Sequence, residues 1–458
     1  MIRKWFDKKV LILGLSKSGV AAAKYLNDKG AQCFITEKKP LADKDKQLVE
    51  ELTAAGIKTE FEHHSDEFME DVYIAVTSPG IPPNSELMQK LKEKNIQVIS
   101  EIELAYLETQ IPFVAITGTN GKTTTTELTN FILNKEYKAE KCGNIGIPPC
   151  SLLRDLNTDK EKETDFFVCE VSSFQLTYSP SFRPQIAVWM NFTPDHIDWH
   201  GGLDKYFEAK ASLFAPEKRP GFAVFNAEDE KVFEFGKSYA GEKFFFGKEL
   251  ETNCSYIKDG AIYFKREPKN IEEKIIDLKD IPLVGNHNYQ NVMASVICAK
   301  ICGVDNEKIQ QAIKEFKAPE HRCEFVANIQ GKDVYNDSKA TNPEAAIFAL
   351  KSFEGRTLTL IAGGTDKMTD LTEFCETVKK YVKTVVLLGA AKERFEAELR
   401  KNGFENIVTA DSFTDGVDKA FETDSEVILL SPACSSYDMF SGYEERGRVF
   451  KDYALSKK

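Results

Sequence analysis

Ile116-Thr117-Gly118-Thr119-Asn120-Gly121-Lys122-Thr123 is the stretch on which the fold turns. Phe113 to Ile116 form an apolar run that predicts a buried strand, and Thr124 through Leu133 have helical character, so the loop joins strand to helix. Backbone N–H groups of such a loop converge with the helix N-terminus where a polyphosphate would sit. Lys122 would reach the outer phosphates, and the Thr123 hydroxyl would sit on a Mg²⁺ ion. The usual phosphate loop has another glycine five positions before Gly121; Ile116 stands there, which makes this a shortened relative of the common form. A bare Gly-Lys-Thr is often accidental, but strand, Gly-x-x-Gly-Lys-Thr and helix in that order are much less so.

Composition narrows the classes. A chain of 458 residues is too long for one core and predicts two to four domains. Hydrophobic content of 42% with 17 Pro and 27 Gly is ordinary for a globular protein. A net charge of -12 argues against a general nucleic-acid binder, so any phosphate site must be local. The start, MIRKWFDKKVLILGL, runs from basic residues straight into a strand-like segment without a small-residue cleavage site, unlike a secretory leader. No apolar stretch approaches the roughly 20 residues that span a bilayer, so a soluble cytoplasmic protein without a membrane partner is expected. Ten scattered cysteines, of which only Cys298 and Cys302 are close, read as reduced core thiols.

Three stretches of alternating strand and helix follow one another. Val10–Leu13, the Gly14-Leu15-Ser16-Lys17-Ser18-Gly19 turn, a helix to about Lys29 and Cys33–Thr36 beside Glu37 form a βαβ opening of the dinucleotide-fold type. The middle glycine of GxGxxG is missing, which disfavours a nicotinamide cofactor and leaves room for another nucleotide's phosphates. A third strand, Val72–Val76, leads into the rigid Thr77-Ser78-Pro79-Gly80-Ile81-Pro82 turn. Boundaries are expected near Glu108–Pro112 and Ala318-Pro319. Between them lie strands at Asp165–Val171 and Gln185–Asn191, strand-like pieces at Gly221–Phe225, Lys243–Phe246 and Cys254–Phe264, and an apolar helix around Asn288–Cys302. Beyond them, strands at Leu358–Ile361, Val385–Leu388 and Val427–Leu430 alternate with amphipathic segments, which predicts a second doubly wound sheet. The class is therefore α/β in three domains: a Rossmann-like domain over 1–108, a central P-loop ATPase-like parallel sheet with added strands over 109–318, and a Rossmann-like domain over 319–458.

Several polar groups sit where strands end. Glu170 closes its strand ahead of Val171-Ser172-Ser173-Phe174-Gln175-Leu176, where P-loop proteins place a metal-associated acid; an ordinary surface glutamate is the plain alternative. Asp195-His196-Ile197-Asp198-Trp199-His200 is rich in metal ligands, a zinc hydrolase would suit the composition, and a second Mg²⁺ at His196 is the more economical reading, with His200 at the surface. Lys210, fourteen residues beyond His196 in the helix-like segment Leu203–Phe214, would by itself be a solvated lysine. Tyr335-Asn336-Asp337-Ser338-Lys339-Ala340-Thr341-Asn342, Gly363-Gly364-Thr365-Asp366-Lys367 and Ser431-Pro432-Ala433-Cys434-Ser435-Ser436 each follow an apolar strand and should line one ligand edge.

Taken together, Thr-Gly-Thr-Asn-Gly-Lys-Thr, Glu170 with SSFQL, Asp195-His196, NDSKATN, and SPACSSYDMF running on to Tyr443-Glu444-Glu445-Arg446-Gly447 resemble the Mur ligase family of peptidoglycan synthesis over nearly the whole chain. SSFQL and NDSKATN point to the D-glutamate-adding member. The resemblance implies that the carboxylate of UDP-N-acetylmuramoyl-L-alanine attacks the γ-phosphate of ATP, and that D-glutamate then attacks the acyl phosphate. It assigns catalytic roles to Lys122, Glu170, His196 and Lys210, and two Mg²⁺ ions to Thr123, Glu170, His196 and a carbamylated Lys210. ATP would meet Gly118, Thr119, Asn120, Gly121, Lys122, Thr123, Thr124, Asn288, Asn291, His321, Arg322, Asp337 and Lys339. The sugar nucleotide would meet Gly14, Ser16, Glu37, Ser78, Gly80, Asn144 and Ser172; D-glutamate would meet His196, Thr341, Lys367, Ser436 and Tyr443. The family's relative carries Asp-Thr-Arg where this chain has Thr36-Glu37-Lys38, and a phenylalanine is common at Tyr443. A monomer is expected. The rivals are an ATP-driven switch binding a protein, an oxidoreductase using the first βαβ unit, and a sibling ligase adding another amino acid or extending folate.

Overall fold

Short apolar runs without alternation become central parallel strands, covered on both faces by helices. The computed structural model describes residues 4–156, 163–267, 270–283 and 285–458, so the first three residues of the basic start lie outside it. The chain forms two compact units, one running to Leu278 and taking in Gln290–Ile313, the other comprising Lys279–Tyr289 and Lys314–Lys458. No helix among the described residues is long and apolar enough to cross a membrane.

The first unit holds two sheets. A five-stranded parallel sheet has the order Lys58–Phe61, Gln32–Glu37, Lys9–Leu13, Ile74–Thr77, Val98–Ser100. Its order reverses beside Lys9–Leu13, the place where open α/β sheets leave a crevice for ligands. A nine-stranded sheet runs Ala139–Gly143, Phe166–Glu170, Phe113–Thr117, Ile186–Trp189, Phe222–Asn226, Lys243–Gly247, Cys254–Lys258 in parallel, and Ala261–Arg266 and Ile271–Asp277 extend it antiparallel. Register places Glu170 opposite Ile116 and Trp189 opposite Thr117, so three strand ends open onto the Gly118 loop.

The helix Glu101–Glu108 ties the two sheets together. Buried Glu101 accepts the Cys150 N–H at 2.6 Å, Glu103 accepts that of Ser181 at 2.9 Å, and the Ser100 hydroxyl meets Ser179 at 2.7 Å. Burial raises the Glu101 carboxyl to about 7 against the opposing hydrogen bonds from Cys150.

The second unit has a six-stranded sheet in the order Glu324–Ile329, Lys332–Asn336, Val427–Leu430, Leu358–Gly363, Thr384–Leu388, Ile407–Thr409, parallel except for the first strand. The three strands that deliver the polar loops are therefore neighbours.

The α/β class and the three parallel-dominated sheets agree with the expectation from sequence. Six strands escaped it: Lys58–Phe61, Val98–Ser100, Ala139–Gly143, Ile271–Asp277, Glu324–Ile329 and Ile407–Thr409. All are short or interrupted by charge, and each of them ends its sheet on one side, where the buried-run signal is weakest. Cys254–Phe264 is not one strand; it breaks at Asp259 and Gly260, both at positive φ, into a hairpin.

Gly363 ends its strand at φ +121°, and a Cβ there would lie 1.9 Å from the Leu388 carbonyl oxygen. Gly363→Ala should cost about 2–3 kcal/mol, read as a lower urea midpoint with the slope unchanged; a wild-type midpoint would show that the sheet tolerates this contact.

Candidate functional site

The loop after Phe113–Thr117 is shaped by two glycines and one asparagine. Gly118 has φ +150° with its Cβ position 2.8 Å from Met190 Cβ, and Gly121 has φ +80° with its Cβ position 2.6 Å from Asn291 Oδ1. Neither site has room for a side chain. Helix Lys122–Leu133 begins at Gly121 without a side-chain cap, leaving its N-terminal pole to an anion. Asn191, just past the neighbouring strand Ile186–Trp189, braces the loop: its Oδ1 accepts the N–H groups of Thr119 at 3.0 Å and Asn120 at 2.8 Å, and its Nδ2 donates to Asn120 O at 3.1 Å. Thr119 Oγ1 donates to Thr193 O at 3.1 Å and lies 3.1 Å from the Tyr206 hydroxyl.

Two lysines point at the same oxygen. Lys122 Nζ donates to the carbonyls of Gly118 at 2.9 Å and Thr119 at 2.8 Å, and Lys210 Nζ donates to Gly118 O at 2.8 Å. Lys210 is 1% exposed, inside helix Leu203–Ala211 and against the Tyr206 ring. Burial is the main reason its pKa falls well below that of a free lysine, repulsion from Lys122 adds to the fall, and Asp195 and Glu170 oppose it. It is thus a sequestered amine, unlike the solvated helix lysine that spacing alone suggests.

Glu170 is 2% exposed. One of its oxygens accepts the Thr123 hydroxyl at 2.8 Å and the other the Asn144 amide at 2.9 Å. Asn144 reaches it because Gly143, at φ +104°, passes where a Cβ would lie 2.2 Å from Glu170 O. Among the described residues Glu170 makes no ion pair, and a buried carboxylate beside a hydroxyl and an amide oxygen fits a hard divalent cation. Ser172 caps the next short helix, its hydroxyl and N–H sharing Gln175 in a reciprocal box.

His196 adopts φ +51° ahead of the short helix Ile197–His200 and is half exposed, with Nε2 3.3 Å from Asp195. Burial lowers its pKa, Asp195 opposes this, and Lys122 and Lys210 add to it. His200 does not lie at the surface: it is 7% exposed, packed among Phe174, Trp199 and Tyr206, with Nε2 2.9 Å from Ser173 Oγ. Burial, then Lys210 and His196, bring it down to about 4, so it is neutral. Asn288 and Asn291 lie one turn apart on helix Asn286–Cys302, both buried, with Asn291 Oδ1 accepting from Thr125 at 3.2 Å. Thr124 is buried in the first turn after the loop.

Gly14, Ser16, Glu37, Ser78 and Gly80 share one cavity of about 650 Å³ at the carboxyl end of the five-stranded sheet. Ser16 and Ser78 hydroxyls meet at 2.7 Å, and Glu37 accepts the N–H groups of Leu15 at 3.1 Å and Lys39 at 3.0 Å. Asn144 and Ser172 belong instead to the surroundings of Glu170.

In the second unit a single guanidinium joins the polar loops. Arg446 is fully buried; Nε donates to Ser338 Oγ at 3.0 Å, and the terminal nitrogens donate to Ser338 O at 2.8 Å and Cys434 O at 3.1 Å. Asp337 accepts the Ser431 hydroxyl at 2.7 Å and the Cys323 N–H at 3.1 Å, and burial raises its carboxyl to about 7. Thr365 and Ser435 exchange backbone hydrogen bonds at 2.8 and 3.2 Å. Buried His321, at φ +66°, accepts at Nδ1 a hydrogen bond from Asn336 Nδ2 at 2.9 Å, and a Cβ on Gly447 would lie 2.1 Å from that nitrogen. Glu320 and Glu324 beside it share the Lys451 ammonium at 2.8 and 2.7 Å. Arg322 follows His321 directly, Lys339 lies over the Tyr443 ring at 5.3 Å, Thr341 donates its N–H to Lys339 O, Ser436 is buried, and Lys367 is exposed. Burial pushes the Tyr443 phenol up to about 12. From sequence, Asn191 carries no assigned role, and Arg446 none beyond its place in the string that carries the resemblance; a polar group one or two positions past a buried strand, and an arginine in an otherwise ordinary helix, are weak signals by themselves.

Three family models match: "Mur ligase MurD-like, N-terminal domain" over 8–100, "Mur ligase middle domain" over 116–299 and "Mur ligase, glutamate ligase domain" over 321–434. The UDP-N-acetylmuramoylalanine--D-glutamate ligase of Bacillus thuringiensis (strain Al Hakam) is 39% identical over 455 residues, 98% of each chain. Its counterpart from Koribacter versatilis (strain Ellin345) is 39% identical over 97% of this chain and 96% of its own. Among solved structures, the MurF ligase of Thermotoga maritima in complex with ADP has a TM-score of 0.60 at 16% identity, covering 100% of both chains. UDP-N-acetylmuramate-alanine ligase MurC from Thermotoga maritima has a TM-score of 0.58 at 17% identity, over 98% of this chain and 100% of that one. At these identities the two structures speak for the fold.

Because Asn191 holds two loop N–H groups, Asn191→Ala should weaken binding of a nucleoside triphosphate about tenfold while the chain still folds, measured by calorimetry and thermal unfolding; an unchanged affinity would show that the loop holds its shape without this brace.

Proposed function

The chain belongs to the Mur ligase family, whose members couple amide-bond formation to ATP in peptidoglycan precursor synthesis, and within it we propose that it joins D-glutamate to UDP-N-acetylmuramoyl-L-alanine. The observation that carries this reading is the joint presence, around the Gly118 loop, of the Thr123–Glu170 pair and the sequestered Lys210 amine, in a chain that matches ligases of that name over 98% of its length.

The alanine carboxylate attacks the γ-phosphorus of ATP, ADP departs, and an acyl phosphate forms. The D-glutamate amine then adds to the acyl carbon, loses a proton, and the tetrahedral intermediate expels phosphate to leave the amide. Both encounters bring anions together, so the chain's work is neutralisation and placement. Gly118 to Thr124 would cradle the phosphates, with Lys122 swinging from the loop carbonyls to the outer ones. Thr123 and Glu170 would hold one Mg²⁺, and His196 with Lys210 a second; bound there, the ions would offset the charge of the phosphates and the carboxylate.

Lys210 could serve a cation only after modification. Its neutral amine can add to CO₂, forming an N–C bond and releasing a proton, which turns a potential cation into a carbamate anion. The burial and the Lys122 repulsion that lower its pKa support the neutral form this requires.

Asn288, Asn291, His321, Arg322, Asp337 and Lys339 complete the ATP set in this reading. Thr341, Lys367, Ser436 and Tyr443, with His196, take D-glutamate: a lysine and hydroxyls suit a dianionic amino acid. The cavity of Gly14, Ser16, Glu37, Ser78 and Gly80 takes the UDP end, with Asn144 and Ser172 toward the sugar. The enzyme acts as a cytoplasmic monomer, over domains 1–108, 109–318 and 319–458.

Phosphate release from ATP and Mg²⁺ should need both UDP-N-acetylmuramoyl-L-alanine and D-glutamate, and L-glutamate, L-lysine and L-alanine should not replace the latter; release without a sugar nucleotide would favour an ATP-driven switch. Lys210→Ala should lose nearly all turnover while remaining folded, and ¹³CO₂ should label the wild-type chain but not the variant at a carbamate resonance. Wild-type turnover in the variant would sink the carbamate proposal.

A further inference from the structure

The cavity assigned above to the UDP end is also lined by His64, which that reading leaves unused. This imidazole is held from behind. The Thr36 hydroxyl lies 2.6 Å from His64 Nδ1 and 2.6 Å from Glu60 Oε1. Glu60 is buried, and its oxygens also accept the Ser65 N–H at 3.1 Å and the Ser65 hydroxyl at 2.6 Å. A hydroxyl has one proton to give. Thr36 gives it to the carboxylate, so toward the imidazole its oxygen can only accept. Nδ1 therefore carries hydrogen, and Nε2 of the neutral ring presents a lone pair. Burial, the largest influence, keeps the ring's pKa below the ordinary value; Glu60 and Glu37 oppose this, and Lys38 and Lys90 add to it. Among the described residues Nε2 has no hydrogen-bond partner.

The remaining lining suits phosphates, with Lys38, Lys39 and Lys90 as cations. Three carboxylates, Glu37, Glu62 and Glu86, line it as well. Both oxygens of Glu37 already receive backbone N–H groups, from Leu15 at 3.1 Å and Lys39 at 3.0 Å, and Glu86 pairs with Lys90 at 3.1 Å. A carboxylate would moreover repel a diphosphate, whereas a neutral imidazole would not.

We propose that His64, held in one tautomer by Thr36 and Glu60, reads the nucleobase of the sugar nucleotide, its Nε2 accepting the imide N3–H of uracil. Cytosine, whose N3 is itself an acceptor, would face the lone pair unpaired. Thr36 and Glu60 act as positioning residues behind it. The inference rests on the reading that this cavity takes the UDP end.

The test compares UDP with its N3-methyl analogue by calorimetry on the full chain. The wild type should prefer UDP about tenfold or more, and His64→Leu should bind both at the weaker level. Thr36→Val, which keeps the volume but removes the relay, should lose most of the preference, and Thr36→Ser should keep it; this pair decides the matter even if His64→Leu does not fold. Full preference in both His64→Leu and Thr36→Val would overturn the inference, as would a wild type that binds the two alike, and in either case the UDP reading would stand. A wild type that binds neither UDP nor UDP-N-acetylmuramoyl-L-alanine would overturn that reading and this inference with it.

Discussion

Two lysine side-chain nitrogens, of Lys122 and Lys210, compete for one carbonyl oxygen, that of Gly118. Lys122 comes from the start of the helix behind the loop, and Lys210 from a helix delivered by a later crossover, so the contact joins distant parts of the chain. Like charges held so close in a buried place cannot both persist without cost. One of them stays neutral, or an anion enters between them. The loop is thus electrostatically incomplete by construction, and its neighbours leave it that way: Asn191 and Tyr206 supply neutral groups, and the Glu170 carboxylate is bound by a hydroxyl and an amide instead of a lysine. A polyphosphate, a divalent cation and a carbamate are the chemistry that would complete it.

The three sheets solve one geometric problem in the same way. Each sets its polar loops at the carboxyl ends of adjacent parallel strands and lets glycine carry the backbone where a side chain would be strained or would collide: Gly14 at φ +93° and Gly80 at φ +135° in the first sheet, Gly118 and Gly143 in the second, Gly363 and Gly364 in the third. What differs is the fastening. The first sheet relies on Ser16, Ser78 and Glu37, the second on Asn191, and the third on the buried Arg446, whose guanidinium donates to two loops while its neighbour Gly447 makes room for His321.

Much of this was legible in the chain because strand-to-loop transitions are abrupt in sequence: apolar residues stop and Gly, Thr, Asn or Lys begin. Phe113–Thr117 into Gly118 and Val427–Leu430 into Ser431 are of this kind. The residues that stayed hidden act through three-dimensional neighbours. Lys210 looks like any helix lysine until Gly118 and Lys122 stand beside it, His200 looks exposed until Phe174 and Tyr206 enclose it, and Asn191 looks like the frayed end of a strand. Edge strands such as Lys58–Phe61 and Glu324–Ile329 were missed for a related reason, since their pairing partner, not their own hydrophobicity, makes them strands.

One chemical step is central to this site, the activation of the sugar nucleotide's carboxylate by transfer of a phosphoryl group to it. Turnover of UDP-N-acetylmuramoyl-L-alanine bearing ¹⁸O in the alanine carboxylate reads this directly by mass spectrometry of the released phosphate. One labelled oxygen from the carboxylate should appear in each phosphate; phosphate whose oxygens come only from ATP and solvent would contradict the mechanism.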